Sequence, residues 1–280
     1  MKFTVVTVSF NSGTKLTETI KNVLKQDFAD FEILVKDGGS KDDSLSFLKE
    51  YLGNEGFREG TPGVYEKQSS GCRVRIVSEK DTGIYDAMNT AVKLAGGEYI
   101  SFMNCGDFFA SEDVLTNAAA VMEKTGNKEI YYGDAYFRRV GNVIHMPKEI
   151  TPSVCYRHIP NHQSCFFKRE LWRHKQLNPK YRIRADYEFF LYQYFENKVR
   201  PVYLGITVCD YEGGGYSETK ENKKRDAYEH HVITEKYMTK AQLRKEKAFR
   251  VVTLQPVRKW IAQDSPFSGV YDKVKKSIYR

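Results

Sequence analysis

Acidic and amide side chains follow three short apolar segments in the first half of the chain. Ser9 and Asn11 end the first of these segments, Asp37 follows the second, and Asn104 and Asp107 follow a third. A carboxylate at such a place can accept hydrogen bonds from a base or a ribose, and an oxygen ligand can hold a divalent cation. Asp37 could instead belong to a simple turn, and Asp107 to an Asx turn that caps a following helix. Residue type and spacing leave both alternatives open.

A denser group of polar residues lies between Asp81 and Asn89. Asp81 precedes a glycine at the entry to a predicted helix, and Asp86 and Asn89 are three residues apart, so they share one helix face. We expect Asp86 and Asn89 to line a cleft while Tyr85 and Met88 pack inward. A solvated helix face explains a single acid here, but it explains this crowding less readily.

An alternation of strand-like and helix-like segments must position these side chains. The predicted strands are 3–10, 31–35, 73–78 and 99–103, and the predicted helices are 14–26, 42–52 and 84–94. This order indicates an α/β fold with a parallel sheet and crossover helices. Ligands of open parallel sheets bind beyond the carboxyl ends of the strands, which is where the polar residues fall.

The remaining segments are less regular. Residues 53–71 are rich in glycine and aperiodic, which predicts a long loop. Residues 129–136, 143–145 and 201–208 are predicted strands, and 186–195 is a predicted helix. Neither a Walker loop nor a G-x-G-x-x-G motif follows the first strand, so the two commonest phosphate-binding loops of parallel sheets are excluded. The five cysteines are scattered without a C-x-x-C pair, which argues against a zinc ribbon or a disulfide framework.

The amino-acid composition excludes several classes of protein. The chain has 280 residues, of which 41% are hydrophobic and 29% are charged, and this excludes a disordered or collagen-like chain. No apolar run approaches the ~18–20 residues of a membrane-spanning helix. The N-terminus lacks the apolar region of a signal peptide, so we expect a cytoplasmic protein.

The net positive charge of the chain lies in the C-terminal region. Residues 220–280 contain 16 Lys and Arg against 7 Asp and Glu, whereas the other residues contain 28 against 29. A nucleic-acid-binding protein usually spreads positive charge over its folded face, so we expect no nucleic-acid partner. Val270, Val274 and Ile278 recur every four residues among lysines. Such basic amphipathic helices suit an anionic membrane surface, or they pack their apolar side against the rest of the protein.

Six segments form a longer pattern along the chain. They are VVTVSFN (5–11), KDGGSKD (36–42), DTGIYDAMN (81–89), MNCGD (103–107), PNHQSCFF (160–167) and RADYE (184–188). The residues of these segments and their order along the chain resemble those of family 2 glycosyltransferases of the GT-A fold, over roughly residues 1–215. The resemblance implies a Rossmann-related, mostly parallel sheet flanked by helices, followed here by a basic helical C-terminal extension.

The resemblance also implies a nucleotide-sugar donor, expected to be a UDP-sugar, and inversion at the anomeric carbon. The residues then expected to bind the nucleotide sugar are Ser9, Asn11, Asp37, Asp81, Asp86, Asn89 and Asn104. The metal motif of the family, D-x-D or D-x-D-D, is altered, because Asn104 and Gly106 replace two acids. We expect Mn²⁺ or Mg²⁺ held through Asp107, because a departing diphosphate needs its charge offset.

The same resemblance assigns roles in the second half. His162 and Gln163 belong to a loop that flanks the donor phosphates or the acceptor, and Asp186 is expected to be the catalytic base. A carboxylate can take the proton of a sugar hydroxyl as the new bond forms, an effect worth about 10²–10⁴-fold. The alternative for Asp186 is that it only caps a helix.

We therefore expect an inverting transferase that acts on a glycan or a lipid-linked glycan in surface polysaccharide biosynthesis. Residues 1–216 would be the catalytic domain, with a nucleotide-binding half to about residue 110, and 217–280 the basic extension. One alternative is a nucleotidyltransferase acting on sugar phosphates, which would normally carry a glycine-rich, basic loop after the first strand. The other is a non-catalytic module that binds a membrane surface.

Overall fold

The computed structural model describes residues 1–68, 72–213 and 219–252. Within these ranges the chain forms eleven β-strands of one sheet and nine α-helices. The strands are β1 Phe3–Ser9, β2 Phe31–Asp37, β3 Arg58–Glu59, β4 Val64–Lys67, β5 Cys72–Ser78, β6 Tyr99–Phe102, β7 Phe108–Phe109, β8 Ile130–Phe137, β9 Asn142–Ile144, β10 Cys165–Lys168 and β11 Val202–Tyr211. The helices are α1 Thr14–Val23, α2 Ser44–Asn54, α3 Ile84–Leu94, α4 Val114–Thr125, α5 Pro152–Arg157, α6 Leu171–His174, α7 Ala185–Phe195, α8 Lys220–Tyr237 and α9 Lys240–Val252.

Four parallel strands form the centre of the sheet, in the order β5-β2-β1-β6. All seven residues of β1 and all seven of β2 are buried, as expected for strands covered on both faces. Helix α1 buries Leu16, Ile20 and Val23, whose spacing places them on one helix face. The predicted α/β fold with a largely parallel sheet flanked by helices is confirmed.

The second half extends this sheet with mixed strand directions. Strand β10 lies between β6 and β8 and is antiparallel to both, and β11 pairs in parallel with β8. The full order is β3-β4-β5-β2-β1-β6-β10-β8-β11-β7, and β9 pairs with β8. The position of β10 beside β6 brings the 3-10 turn His162–Ser164, which precedes β10, close to the residues that follow β6.

Residues 53–71 are only partly the loop that the sequence predicted. They include β3 and β4, which form an antiparallel pair, and β4 continues the sheet beyond β5. These strands have two and four residues, too few for a visible alternation of apolar side chains. Helix α1 also ends at Val23, three residues before the predicted end.

Two compact units divide the chain, Met1–Ile233 and Thr234–Arg280. The predicted domain boundary near residue 216 lies in 214–218, outside the described residues. The repeat of Val270, Val274 and Ile278 also lies outside them. Among the residues that the structure describes, none of the helices combines the length and the apolar character needed to cross a membrane.

Candidate active site

The ends of the central strands meet at one edge of the sheet. Ser9 at the end of β1 is in register with Asp37 at the end of β2, and Asp37 is in register with Ser78 at the end of β5. Strand β6 runs parallel to β1, and Asn104 follows it two residues after its end. The parallel register therefore gathers these polar residues at the edge where the sequence predicted a ligand site.

Asp37 is fully buried at this edge and holds a turn together. Its Oδ2 accepts hydrogen bonds from the backbone N–H groups of Gly39 and Ser40, both at 2.9 Å, and from the Ser78 hydroxyl at 2.7 Å. Its Oδ1 accepts from the Ser40 hydroxyl at 2.5 Å. Both carboxylate oxygens of Asp37 therefore accept hydrogen bonds from groups inside the protein. This arrangement agrees with the alternative that Asp37 belongs to a turn.

Three adjoining hollows run along the same edge. The first, of about 350 Å³, is lined by Ser9, Phe10 and Asp81, and the second, of about 600 Å³, by Phe10, Asp86 and Arg182. The third, of about 400 Å³, is lined by Asn104, Asp107, His162, Gln163 and Asp186, and also by Arg182. Ile84 borders all three hollows. Asp107 and Asp186 thus line the same hollow, whereas Asp37 is buried and lines none of the three.

The first hollow combines an apolar wall with an acid. Phe10 exposes 65% of its surface, which is unusual for a phenylalanine directly after a buried strand. Asp81 accepts a hydrogen bond from the Gly83 N–H at 3.0 Å and lies 3.6 Å from the buried ammonium of Lys36. A Cβ at residue 38 would lie 2.8 Å from the Asp81 carboxylate, so Gly38 leaves the space in which that carboxylate sits.

Ser9 and Asn11 shape the loop beside this hollow. The Ser9 hydroxyl lies 2.8 Å from the Ser12 hydroxyl. Asn11 has a positive φ of 48°, its N–H donates to the Ser40 hydroxyl at 2.8 Å, and its Oδ1 accepts from the Lys41 N–H at 2.9 Å. Asn11 therefore ties the loop after β1 to the loop after β2.

The two polar residues of helix α3 have different surroundings. Asp86 lines the second hollow and accepts hydrogen bonds from the Thr82 N–H and hydroxyl, both at 2.9 Å, which lower the pKa of its carboxyl. Asn89 is 6% exposed, and its amide bonds to the backbone of Leu177 and to the Trp172 indole. The expectation that Asn89 lines the cleft with Asp86 is therefore wrong, because its amide bonds to interior groups.

Asp186 lies in the first turn of helix α7 with its side chain 25% exposed. Its Oδ2 accepts from His162 Nδ1 at 2.8 Å, and its Oδ1 accepts from the Tyr187 N–H at 2.9 Å and lies 3.2 Å from the Tyr85 hydroxyl. Burial raises the pKa of this carboxyl, but the hydrogen bonds from His162, the Tyr187 N–H and Tyr85 bring the pKa below its usual 3.8. Asp186 is therefore a carboxylate at neutral pH.

His162 connects Asp186 to the residues after β6. Its Nε2 lies 3.0 Å from the amide nitrogen of Asn104, and its ring packs edge-on against Phe102. An Nδ1–H that donates to Asp186 leaves Nε2 as an acceptor for the Asn104 amide. This tautomer gives a continuous chain of hydrogen bonds from Asp186 through His162 to Asn104.

Asp107 is held by the residue next to His162. Its Oδ2 accepts from the Gln163 side-chain amide at 2.9 Å, and its Oδ1 accepts from the Glu212 N–H at 3.0 Å. Burial raises the pKa of this carboxyl. One short turn therefore contacts both acids of the third hollow, Asp186 through His162 and Asp107 through Gln163.

A carboxylate from a distant part of the chain lies beside Gly106, which replaces an acid of the family's metal motif. A Cβ at Gly106, whose φ is +94°, would lie 2.4 Å from a carboxylate oxygen of Glu212. Glu212 follows β11, lines the third hollow, and pairs with the Lys15 ammonium at 2.7 Å. The glycine that replaces an acid thus leaves room for a different carboxylate.

Sequence reasoning missed Phe10, Arg182 and Glu212. Arg182 is exposed and lines both the second and the third hollow. Arg182 lies four positions before Asp186 in the sequence, and this proximity was the one available signal. The exposure of Phe10 and the approach of Glu212 depend on packing, so no local pattern indicated them.

A divalent cation is compatible with the third hollow. Asn104 Oδ1 is buried and accepts no hydrogen bond from the described residues, and it belongs to the same short segment as Asp107. Within the described ranges, no group of three or more Asp, Glu, His or Cys side chains is placed to hold a metal ion. A Mg²⁺ or Mn²⁺ ion would therefore take most of its ligands from phosphate and water, as such ions commonly do.

Comparison with known protein families identifies the family of the chain. The family model "Glycosyl transferase family 2" matches residues 4–188. The chain belongs to this family. The glycosyltransferase is 27% identical over 229 residues to a PGL/p-HBAD biosynthesis glycosyltransferase of Mycobacterium bovis, a match that covers 79% of this chain and 81% of the relative.

Solved structures share the fold at lower identity. TarS of S. aureus, in complex with UDP, matches with a TM-score of 0.61 and 17% identity over 94% of this chain and 73% of its own. Mannosyltransferase PcManGT of Pyrobaculum calidifontis, in complex with GDP-Man and Mn²⁺, matches with a TM-score of 0.58 and 16% identity over 98% and 86%. The expected GT-A-like fold of this glycosyltransferase is confirmed.

Proposed function

We propose that this glycosyltransferase moves a sugar from a UDP-sugar to a hydroxyl of a glycan or a lipid-linked glycan, with inversion at the anomeric carbon. The observation that carries the proposal is the convergence of Asp186 and Asp107 on one hollow, which adjoins a second hollow and a base-sized first one. The structural neighbour TarS, in complex with UDP, supports UDP as the nucleotide, and PcManGT, in complex with GDP-Man, makes GDP the alternative that the test below includes.

The first and second hollows suit the nucleoside of the donor. Phe10 offers an exposed aromatic face on which a base can stack, and Asp81 and Ser9 offer acceptors and a hydroxyl beside it. Asp86 lies farther along the path towards the third hollow. Asp37 contributes indirectly, because its hydrogen bonds hold the turn from which Gly38 faces Asp81.

Asp186 is the proposed general base. Its carboxylate accepts the proton of the acceptor hydroxyl while that oxygen forms a bond to the anomeric carbon, and the bond from this carbon to the diphosphate breaks on the opposite side. His162 and Tyr85 orient the carboxylate, so it does not have to be positioned anew at each turnover. A general base of this kind contributes about 10²–10⁴-fold to the rate.

The departing UDP carries negative charge, which needs a compensating charge in the third hollow. Arg182 lines both the second and the third hollow, and its guanidinium can pair there with the diphosphate. A divalent cation held by Asn104 and Asp107 would supply the same electrostatic stabilisation, and PcManGT binds Mn²⁺. Gln163 holds the Asp107 carboxylate in place for this role.

We also propose a role in surface polysaccharide biosynthesis, with the basic C-terminal region bringing the enzyme to an anionic membrane surface. The positive net charge of the last 61 residues supports this, because each basic residue near such a surface contributes about 1 kcal/mol. A lipid-linked acceptor would then be encountered in the plane of the membrane.

Release of the free nucleotide tests the proposed function. Purified enzyme is incubated with a soluble alkyl-glycoside acceptor and UDP-glucose, UDP-GlcNAc, UDP-galactose or GDP-mannose, each with and without Mn²⁺. The liberated UDP or GDP is measured together with the anomeric configuration of the new glycoside. We expect UDP release with at least one UDP-sugar and an inverted product. Release of GDP alone would contradict the choice of donor, and a retained configuration would contradict the mechanism.

A further inference from the structure

A buried carboxylate from helix α8 contacts the segment that leads into Asp186. The Glu229 side chain is 4% exposed. It accepts hydrogen bonds from three consecutive backbone N–H groups, those of Arg182 at 2.9 Å, Ile183 at 3.0 Å and Arg184 at 3.0 Å. Glu229 lies 41 residues beyond the end of the family match, so the family pattern does not include it.

These hydrogen bonds hold the turn that leads into helix α7. Helix α7 begins at Ala185, and Arg184 at its N-cap position makes no side-chain capping bond. Of the three donors, the Arg184 N–H belongs to the helix start, where backbone N–H groups need acceptors and the helix dipole favours a carboxylate. Glu229 supplies that carboxylate from a distant part of the chain.

The charge of Glu229 is retained despite its burial. Burial raises the pKa of its carboxyl, but the Arg225 guanidinium at 2.9 Å and the three backbone N–H groups lower the pKa below its usual value. An anionic acceptor forms stronger hydrogen bonds with N–H donors than a neutral one. The backbone of residues 182–184 is therefore held firmly on its N–H side.

The carbonyl side of the same segment is also held. The Ile183 carbonyl accepts from the Tyr85 hydroxyl at 2.5 Å, and that hydroxyl lies 3.2 Å from Asp186. The segment between Arg182 and Asp186 is thus fixed between helix α3 on one side and helix α8 on the other. Any shift of this backbone moves the Asp186 carboxylate relative to the third hollow.

Neighbouring residues of α8 reinforce the contact. Asp226 pairs with the Arg184 guanidinium at 2.7 Å, and the His230 ring stacks on Tyr187 at 5.4 Å. Asp226, Glu229 and His230 are at positions i, i+3 and i+4, so they lie on one face of α8. This face meets the start of α7 at three successive points.

We propose that Glu229 is a positioning residue for catalysis: it fixes the backbone that carries Asp186. The inference rests on the proposed role of Asp186 as the base. Displacement of a reacting group by about 1 Å costs on the order of 10²-fold in rate, so loss of this contact affects turnover far more than donor binding.

The test is a double-mutant cycle with Glu229→Gln and Asp186→Asn, with Tyr228→Phe on the exposed side of α8 as the control. We expect E229Q to lower kcat by about tenfold or more and to raise the donor KM by a smaller factor, because the same carboxylate also holds the backbone of Arg182. In the D186N background, E229Q should lower the remaining rate by a much smaller factor than in the wild type, because its main effect acts through Asp186. Y228F should leave both parameters unchanged.

Two outcomes would overturn the inference: a folded E229Q with wild-type kcat, or an equal fold-loss from E229Q with and without Asp186. If E229Q does not fold, Asp226→Asn loosens the same segment through a partly exposed ion pair and must lower kcat in the same way. A wild-type enzyme that releases no UDP would contradict the proposed function, whereas an active wild type with an insensitive E229Q contradicts only the role of Glu229.

Discussion

Polar residues at the edge of this sheet divide into two kinds that residue type alone does not distinguish. Asp37 and Asn89 direct their polar atoms to the backbone and side chains of the interior. Asp81, Asp107 and Asp186 border the hollows and combine partial exposure or a cavity contact with fixed hydrogen-bond partners. A carboxylate therefore holds the backbone together at one position and borders an open hollow at another.

Asp186→Asn is expected to lower kcat by about 10²–10⁴-fold, because an amide cannot accept the proton of the acceptor hydroxyl. The donor KM should change little, since the donor is bound mainly by the first two hollows. UDP release under saturating acceptor measures both parameters. Asp30→Asn, at an exposed acid far from the hollows, serves as the control. A kcat within about threefold of wild type would contradict the assignment of Asp186.

The pH dependence of stability follows from Asp37. Burial raises the pKa of its carboxyl, but hydrogen bonds from Ser40, Ser78 and Gly39 lower the pKa below 3.8. A lowered pKa in the folded state gives stability that is present above pH 3.8 and is lost as the pH falls through the folded-state value.

Asp37→Asn should therefore reduce the free energy of unfolding by about 1–3 kcal/mol at pH 7, because its amide nitrogen faces donors. Urea denaturation of both proteins at several pH values measures the difference. The difference in free energy of unfolding between the wild type and Asp37→Asn should become smaller below pH 3.8. A difference that stays constant down to acid pH would contradict the hydrogen-bonded carboxylate described for this turn.

At the scale of elements, one short turn organises the third hollow. The turn His162–Ser164 precedes β10, and the insertion of β10 between β6 and β8 places it beside Asn104 and Asp107. Adjacent residues of the turn then reach two acids that are 79 residues apart in sequence. The pairing of β10 with β6 is thus the structural cause of the site.

The turn between β6 and β7 offers a prediction of its own. Gly106 has φ +94° and a Glu212 oxygen where a Cβ would lie, whereas Gly126 has φ +79° and no atom within 4 Å of that point. Gly106→Ala and Gly126→Ala should each cost about 1 kcal/mol of stability, from the positive φ. Only G106A should displace Glu212 and raise the donor KM. Thermal unfolding and UDP release measure the two effects, and equal donor KM values would contradict the role of this turn.

At the scale of the whole molecule, the candidate site and the last basic residues belong to different parts of the chain. Asp186 and the three hollows belong to the unit Met1–Ile233, and this unit also includes Glu229. Residues 253–280 contain six Lys and Arg against two Asp and Glu. A truncation after residue 252 therefore removes basic residues without removing any residue that lines the three hollows.

A variant that ends at residue 252 should bind anionic vesicles less than the full chain does. Loss of six of the 16 basic residues of 220–280, at about 1 kcal/mol each, weakens the electrostatic attraction. Co-sedimentation with phosphatidylserine-containing vesicles at 0.1 M salt measures binding, with neutral vesicles as the control. UDP release with a soluble acceptor should stay within about twofold of the full chain. Equal sedimentation of both proteins would contradict a membrane role for this region.

The amino-acid sequence by itself determined the α/β class, the edge of the sheet that carries the site, and the candidates Asp81, Asp86, Asp107 and Asp186. These features depend on local periodicity and on short motifs, and both can be recognised from residues that are close together in the sequence. Strands β3 and β4 escaped prediction because two to four residues show no clear alternation.

Only the tertiary structure decided which of these side chains meet. It buried Asp37 and Asn89, exposed Phe10, brought Glu212 to Gly106, and set Glu229 against the backbone before Asp186. Each of these contacts joins residues that are far apart in the chain or depends on how the surrounding elements pack. Their positions follow from the burial of apolar surface over the whole sheet, and no short stretch of sequence encodes that.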